Sequence, residues 1–238
     1  YIELADAYKS VDEALFHGGI ANAVNIDLVK IDSEQLEKME KPEQALEGLD
    51  GILVPGGFGS RGVNGMVIAA RYARENGIPY FGICLGMQVL VIEYARNVLG
   101  LEDANSTEFA PESDAPVISL LEEQIDVKNY GGTMRLGLSE SKLIEGSRIR
   151  DIYKSDVIHE RHRHRYEVNN RYRQDLTDAG LIFGGTTPGG ELVESSEWND
   201  HPWGLGVQYH PEFKSDPLDA HPLFASFIAA SARGKQGS

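Results

Sequence analysis

Two rhythms of apolar and polar residues alternate along the first hundred positions. Over Asp6 to His17 the apolar residues Ala7, Val11, Ala14 and Leu15 recur at helical spacing, and Gly18-Gly19 is expected to stop that helix. Val24 to Ile31 alternates residue by residue, the pattern of a strand with one buried face. Ser33 to Glu47 is polar and helix-like, with a break at Pro42. Gly51 to Val54 predicts a short apolar strand ending in Pro-Gly-Gly. A helix over Val63 to Glu75, stopped by Gly77, leads into a buried strand over Ile78 to Ile83. Leu85 to Val98 is apolar almost all round, which predicts a deeply packed helix.

Strand and helix at such short intervals predict an α/β fold: a doubly wound, mostly parallel sheet flanked by helices. Ser106 to Gly137 is less regular and reads as loops with antiparallel strands, a small antiparallel addition to the sheet. A strand over Gly204 to Tyr209 and a helix over Leu223 to Ser231 follow. No repeat or linker interrupts the pattern, so residues 1–238 are expected to form a single domain, with 232–238 as a frayed polar tail.

Composition narrows the function classes. A chain of 238 residues can bury a real core, and 26 glycines beside 10 prolines point to tight turns between packed elements. The net charge of -15 repels polyanions, so no nucleic-acid partner is expected. With the single cysteine Cys84, an intramolecular disulfide and a cysteine zinc cluster are both impossible. No apolar run reaches the ~20 residues of a membrane span, and no secretory signal is visible, so a cytoplasmic protein is expected.

Cys84 sits in Gly82-Ile83-Cys84-Leu85-Gly86, where an apolar strand passes into an apolar helix. This is a nucleophile elbow with Cys in the place of Ser. The turn lifts the sulfur to the C-terminal edge of the sheet, and the helix N-terminus favours a thiolate. An isolated cysteine is more often a small buried residue; the glycine frame at a strand-helix junction reverses that preference. A nucleophilic thiol wants a base, and the base wants an orienting acceptor. Gln208-Tyr209-His210-Pro211-Glu212 supplies both at a strand end, where side chains at i and i+2 share a side. The loop Pro55-Gly56-Gly57-Phe58-Gly59 lacks the Gly-Lys-Ser/Thr of a phosphate loop. It reads either as a plain glycine turn or as an oxyanion hole of backbone N–H groups.

These three pieces, in this order, resemble the class I (triad) glutamine amidotransferases. Further stretches resemble the C-terminal glutaminase domains of the CTP synthase family: Asp6 to Ser10, Pro55 to Gly62, Asp103 to Phe109, Gly131 to Gly137 and Arg161 to Asn169. The resemblance implies that Cys84 is the nucleophile, His210 the acid/base and Glu212 its orienter. It implies an oxyanion hole from the Gly57 and Leu85 amides. Gln88 and Glu108 would hold the α-amino group of glutamine, and Arg165, helped by the Tyr166 backbone, its α-carboxylate. No metal and no cofactor are implied in this chain; ATP, UTP and Mg belong to a synthetase domain, which is the implied partner, with GTP as a possible effector. The family has a glycine-ending strand before the stretch that begins at Tyr1 and often a longer loop between Leu121 and Gly131, so further residues are expected at both places.

Three readings stand at this point. The first is glutamine hydrolysis through a Cys84 γ-glutamyl thioester, supplying ammonia for amination of UTP to CTP. The second is a stand-alone γ-glutamyl hydrolase or peptidase of the same fold. The third is a catalytically silent regulatory module. Arg161 to Arg165 itself reads as a solvated loop, with a nucleic-acid patch as the weaker option.

Overall fold

The computed structural model describes residues 8–120 and 134–233. The expectations upstream of Tyr1, between Leu121 and Gly131, and for 234–238 lie outside the described residues, as does the start of the Gly131 to Gly137 stretch.

The chain opens with α1 (Lys9–Asn22) and α2 (Ser33–Leu36), then β1 (Ile52–Val54), α3 (Val63–Asn76), β2 (Tyr80–Ile83) and α4 (Leu85–Asn97). Strands β3 (Ala104–Ser106), β4 (Ala115–Ser119) and β5 (Arg135–Leu143) follow. A short helix Arg148–Tyr153 precedes β6 (Val157–His164) and β7 (Glu167–Val168). A second short helix, Arg173–Asp178, leads to β8 (Leu181–Thr186), β9 (Val193–Trp198), β10 (Gly204–Val207) and the helix Pro222–Arg233.

The main sheet has the order β1-β2-β10-β9-β8-β5-β6. It is parallel across β1-β2-β10, where the strand-helix alternation was legible, and antiparallel from β10 to β6. Its antiparallel share therefore exceeds the expected small addition. Strands β3-β4-β7 form a separate small sheet, parallel between β3 and β4 and antiparallel between β4 and β7. Side chains of β2 point alternately to the two faces, as a pleated strand requires. Tyr80 joins the core under α3 and α4, and Phe81 joins the core under α1 and the helix Pro222–Arg233. The result is a helix-sheet-helix sandwich with the strand ends of β2 and β10 at its centre.

Several local expectations change. The Gly18-Gly19 pair does not stop α1, which runs on to Asn22 and is capped by Ala23 at φ 54°. A Cβ on Gly18 would lie 2.8 Å from the Phe224 carbonyl oxygen, so glycine there serves close packing of α1 on the neighbouring helix. Val24 to Leu28 keeps its alternation of half-buried and exposed residues, yet no strand hydrogen-bonds to it among the described residues. Alternation reports which side is buried; a strand also needs a ladder partner. The last helix extends past Ser231 to Arg233. Arg161 to His164 is not a solvated loop but the end of β6, with Arg161 and Arg163 outward and His162 and His164 buried.

Candidate active site

Cys84 lies between β2 and α4 with φ 51° and ψ -101°, a conformation that non-glycine residues rarely adopt. Such strain, on the order of 1–3 kcal/mol, persists only where the surroundings fix it. Here its backbone N–H donates to the Val207 carbonyl at 2.7 Å, locking the elbow to β10. Gly86 and Gly82 make the turn possible: a Cβ on Gly86 would collide with the Val54 carbonyl, and one on Gly82 with Gly86. The sulfur is nearly enclosed, since Cys84 is only 4% exposed.

His210 follows β10, and its own N–H donates to the Arg161 carbonyl at 2.8 Å. Its Nδ1 meets Glu212 Oε1 at 2.7 Å. The expected contact is thus made, but not by an extended i, i+2 segment: Pro211–Lys214 is a 3₁₀ turn that folds Glu212 back on the ring. Lys214 holds that turn to β6, donating to Glu160 Oε1 at 2.9 Å and to the His159 carbonyl at 2.8 Å. Burial alone would depress His210, yet the hydrogen-bonding and charged partners Cys84 and Glu212 outweigh it and raise its pKa to about 10. The ring therefore favours the imidazolium at neutral pH. Its Nε2 is buried and finds no hydrogen-bond partner among the described residues.

The glycine loop roofs this pair. A Cβ on Gly56 would sit 2.9 Å from His210 Cε1 and 3.5 Å from Cys84 Cβ. Three contacts pin the loop: the Tyr8 hydroxyl on the Gly56 carbonyl at 3.4 Å, Gly59 N–H on Glu108 Oε1 at 3.0 Å, and the Arg163 guanidinium 5.9 Å above the Phe58 ring. Gly57 lies in this loop, and Leu85 is the first residue of α4, whose N–H has no carbonyl partner within its own helix.

The remaining expected residues lie near one another. Gln88, buried on α4, donates through Nε2 to the Tyr166 carbonyl at 3.1 Å. Burial raises the Tyr166 phenol; the Glu108 charge adds to this and the Arg165 charge opposes it, which puts the three together. Arg165 is exposed. Sequence reasoning missed Gln208, whose Nε2 lies 3.7 Å from Cys84 Sγ, and the Arg163 carbonyl, 4.0 Å from the same atom. Gln208 stands two residues before His210, just past the end of β10, but nothing in the sequence pairs it with Gln88 or Cys84. Glu160 and Lys214 were also missed, because nothing in the sequence pairs strand β6 with the turn after β10.

Among the described residues no group of three or more His, Cys, Asp or Glu side chains is placed to hold a metal ion, and no helix is long and apolar enough to cross a membrane.

The chain matches the family model "Glutamine amidotransferase class-I" over residues 3–230. It is 56% identical over 235 residues to a CTP synthase of Clostridium perfringens, covering 99% of this chain and 44% of that protein. A CTP synthase of Carboxydothermus hydrogenoformans is 57% identical over 233 residues, which cover 98% of this chain and 43% of that protein. The chain thus spans less than half the length of these relatives. Among solved structures, the glutaminase domain of Trypanosoma brucei CTPS with bound acivicin superposes with a TM-score of 0.91 at 45% identity, covering 98% of this chain and 91% of that one. The match of family model and relatives over nearly the whole sequence, on a fold that assembles Cys84, His210 and Glu212 at one sheet edge, makes this chain a member of the class I glutamine amidotransferases.

Proposed function

We propose that this chain hydrolyses glutamine to glutamate and ammonia through a γ-glutamyl thioester on Cys84. In a longer protein it would pass the ammonia to a synthetase domain that aminates UTP to CTP. The observation that carries this reading is the strained elbow, with Cys84 packed against a His210 that Glu212 holds at 2.7 Å.

Glutamine enters with its α-carboxylate on Arg165, whose planar fork suits two oxygens. Its α-ammonium meets Glu108 and the Oε1 of Gln88, whose Nε2 is already engaged with Tyr166. The Cys84 thiolate attacks the side-chain amide carbon, and the resulting oxyanion is received by the Gly57 and Leu85 N–H groups. The His210 imidazolium gives its proton to the nitrogen, the C–N bond breaks and ammonia leaves, giving the thioester and neutral His210. Water then loses a proton to His210 and attacks the thioester carbon, expelling the thiolate and releasing glutamate. Glu212 stabilises the imidazolium at each return. The chemistry needs no metal or cofactor in this chain; ATP, UTP and Mg serve the synthetase domain, and GTP is the proposed effector. The names of the relatives favour this reading over a stand-alone hydrolase.

The test is intact-mass analysis after exposure to a chloro-isoxazole amino acid. One adduct per chain, on Cys84 and suppressed by excess glutamine, is expected. No adduct, or labelling indifferent to glutamine, sinks the assignment.

A further inference from the structure

The sequence Gln208-Tyr209-His210-Pro211-Glu212 contributes His210 and Glu212 to the reaction above, but its first residue has no role there. Gln208 is completely buried. Its backbone is fixed on both sides, since its N–H donates to the Glu194 carbonyl at 2.9 Å and Cys84 N–H donates to the preceding Val207 carbonyl at 2.7 Å.

The orientation of the Gln208 amide follows from a chain of hydrogen bonds that can run in one direction only. The Tyr166 carbonyl can accept but not donate, so the Gln88 amide must present Nε2 to it, at 3.1 Å. The same Nε2 faces Gln208 at 3.3 Å, and a donor there requires the Gln208 oxygen. Gln208 must then turn its own Nε2 toward Cys84 Sγ, which lies 3.7 Å away. The sulfur thus has two kinds of neighbour. As a thiol it can donate to the Arg163 carbonyl at 4.0 Å; as a thiolate it can accept from Gln208. Groups that titrate around it are His210 with Glu212 behind the ring, and, one layer back on β6, His162 and His164, which the His210 charge helps to keep neutral. None of these supplies a fixed neutral donor.

We propose that Gln208 is a catalytic donor to the nucleophile: its amide N–H holds the Cys84 sulfur as a thiolate, aims it, and couples it through Gln88 to the substrate pocket. The proposal rests on the glutaminase reading for its mechanism, but its geometry stands on the apo protein. Gln88 keeps Oε1 for the substrate while its Nε2 grips Gln208. Docking of the α-ammonium on Oε1 makes that Nε2 a stronger donor, and the polarisation passes along the chain to the sulfur.

Because the chain has one cysteine, the rate of iodoacetamide alkylation against pH gives a thiolate profile that reports Cys84 alone. A hydrogen bond to a charged acceptor is worth about tenfold or more in such an equilibrium. Gln208→Met should therefore move the thiolate profile upward by about one pH unit, slow iodoacetamide alkylation at neutral pH about tenfold, and lower kcat with KM little changed. Gln208→Asn, a methylene too short to reach the sulfur, should shift the profile in the same direction and keeps the question answerable if the Met variant does not fold. A folded variant with an unmoved thiolate profile overturns the proposal even if activity falls, since a purely structural role would produce that result. If the profile moves but the parent protein does not hydrolyse glutamine, the donor role stands and the proposed reaction falls.

Discussion

Three histidines stand within electrostatic reach of one another, and burial acts on all of them in the same direction, yet they end far apart. On β6, burial, reinforced by the Arg135 charge, lowers His162 to about 2 and His164 to about 3. In the turn after β10, burial is overcome by Cys84 and Glu212, and His210 rises to about 10. The difference lies in what each ring faces. His210 has a carboxylate on Nδ1 and Cys84 as its other partner. His162 and His164 share a 2.9 Å contact with each other, which neutral rings make best, and Arg135 stands close by. Carboxylates are not lacking there, for Glu194 and Glu167 lie within 3.2 and 3.4 Å of the two rings. They are already bound to Arg135, and burial pushes Glu167 up to about 8, which weakens its hold on a ring proton. One region thus holds a histidine that keeps its proton, while the other keeps its histidines neutral.

The largest expected effect is on chemistry alone. Cys84→Ala should lower glutaminase turnover by about 10³ or more, with a thermal unfolding temperature close to the parent's. Substantial residual turnover in a steady-state ammonia assay would place the nucleophile elsewhere.

The β6 region should respond in the opposite manner. Arg135→Met strips the cation from Glu194 and Glu167 and leaves buried acceptors without a partner, at a cost of about 3 kcal/mol of stability. Denaturant unfolding should report that loss, and activity should fall only in proportion to the unfolded fraction and to any shift of the Tyr166 carbonyl. A stable variant with selectively lost turnover would contradict the division between the regions.

The pH dependence of stability separates them further. Histidines lowered in the folded state bind protons first in the unfolded chain, whose ordinary value is 6.5, so His162 and His164 contribute stability above about that pH. That contribution is lost progressively as pH falls toward about 3. His210 has the reverse sign: its contribution is complete below 6.5 and is lost as pH rises through about 10. Urea midpoints measured across pH should therefore show an acid limb that shallows in His162→Gln and an alkaline limb that shallows in His210→Gln. Interchanged behaviour of the two variants would refute the assignment.

The smallest effect concerns the elbow. With φ at 51°, Cys84→Gly should be more stable than Cys84→Ala by roughly 1 kcal/mol, since only glycine relaxes there without strain. Equal stabilities would mean that the turn is not strained.

What the sequence determined by itself is the cysteine elbow, the His-Pro-Glu stretch expected to serve it, and the half of the fold that carries Cys84. Periodicity and punctuation over Gly51 to Val98 are local properties, so β1, α3, β2 and α4 were legible within a residue or two, and the glycines around Cys84 marked its turn. Tertiary structure decided the rest. Strands β6 and β9 bury Glu160, His162, Glu194 and Glu197 on faces that a polarity pattern assigns to solvent. Their partners come from elsewhere: Arg135 for Glu194, Lys214 for Glu160, and the backbone N–H groups of Arg148 and Ile149 for Glu197. A buried charge is tolerated only when its partners are present, and those partners are up to 59 residues away along the chain. The same limit hid Gln208, 120 residues from Gln88 and 124 from Cys84, because a contact closed by folding leaves no mark on the spacing of either residue.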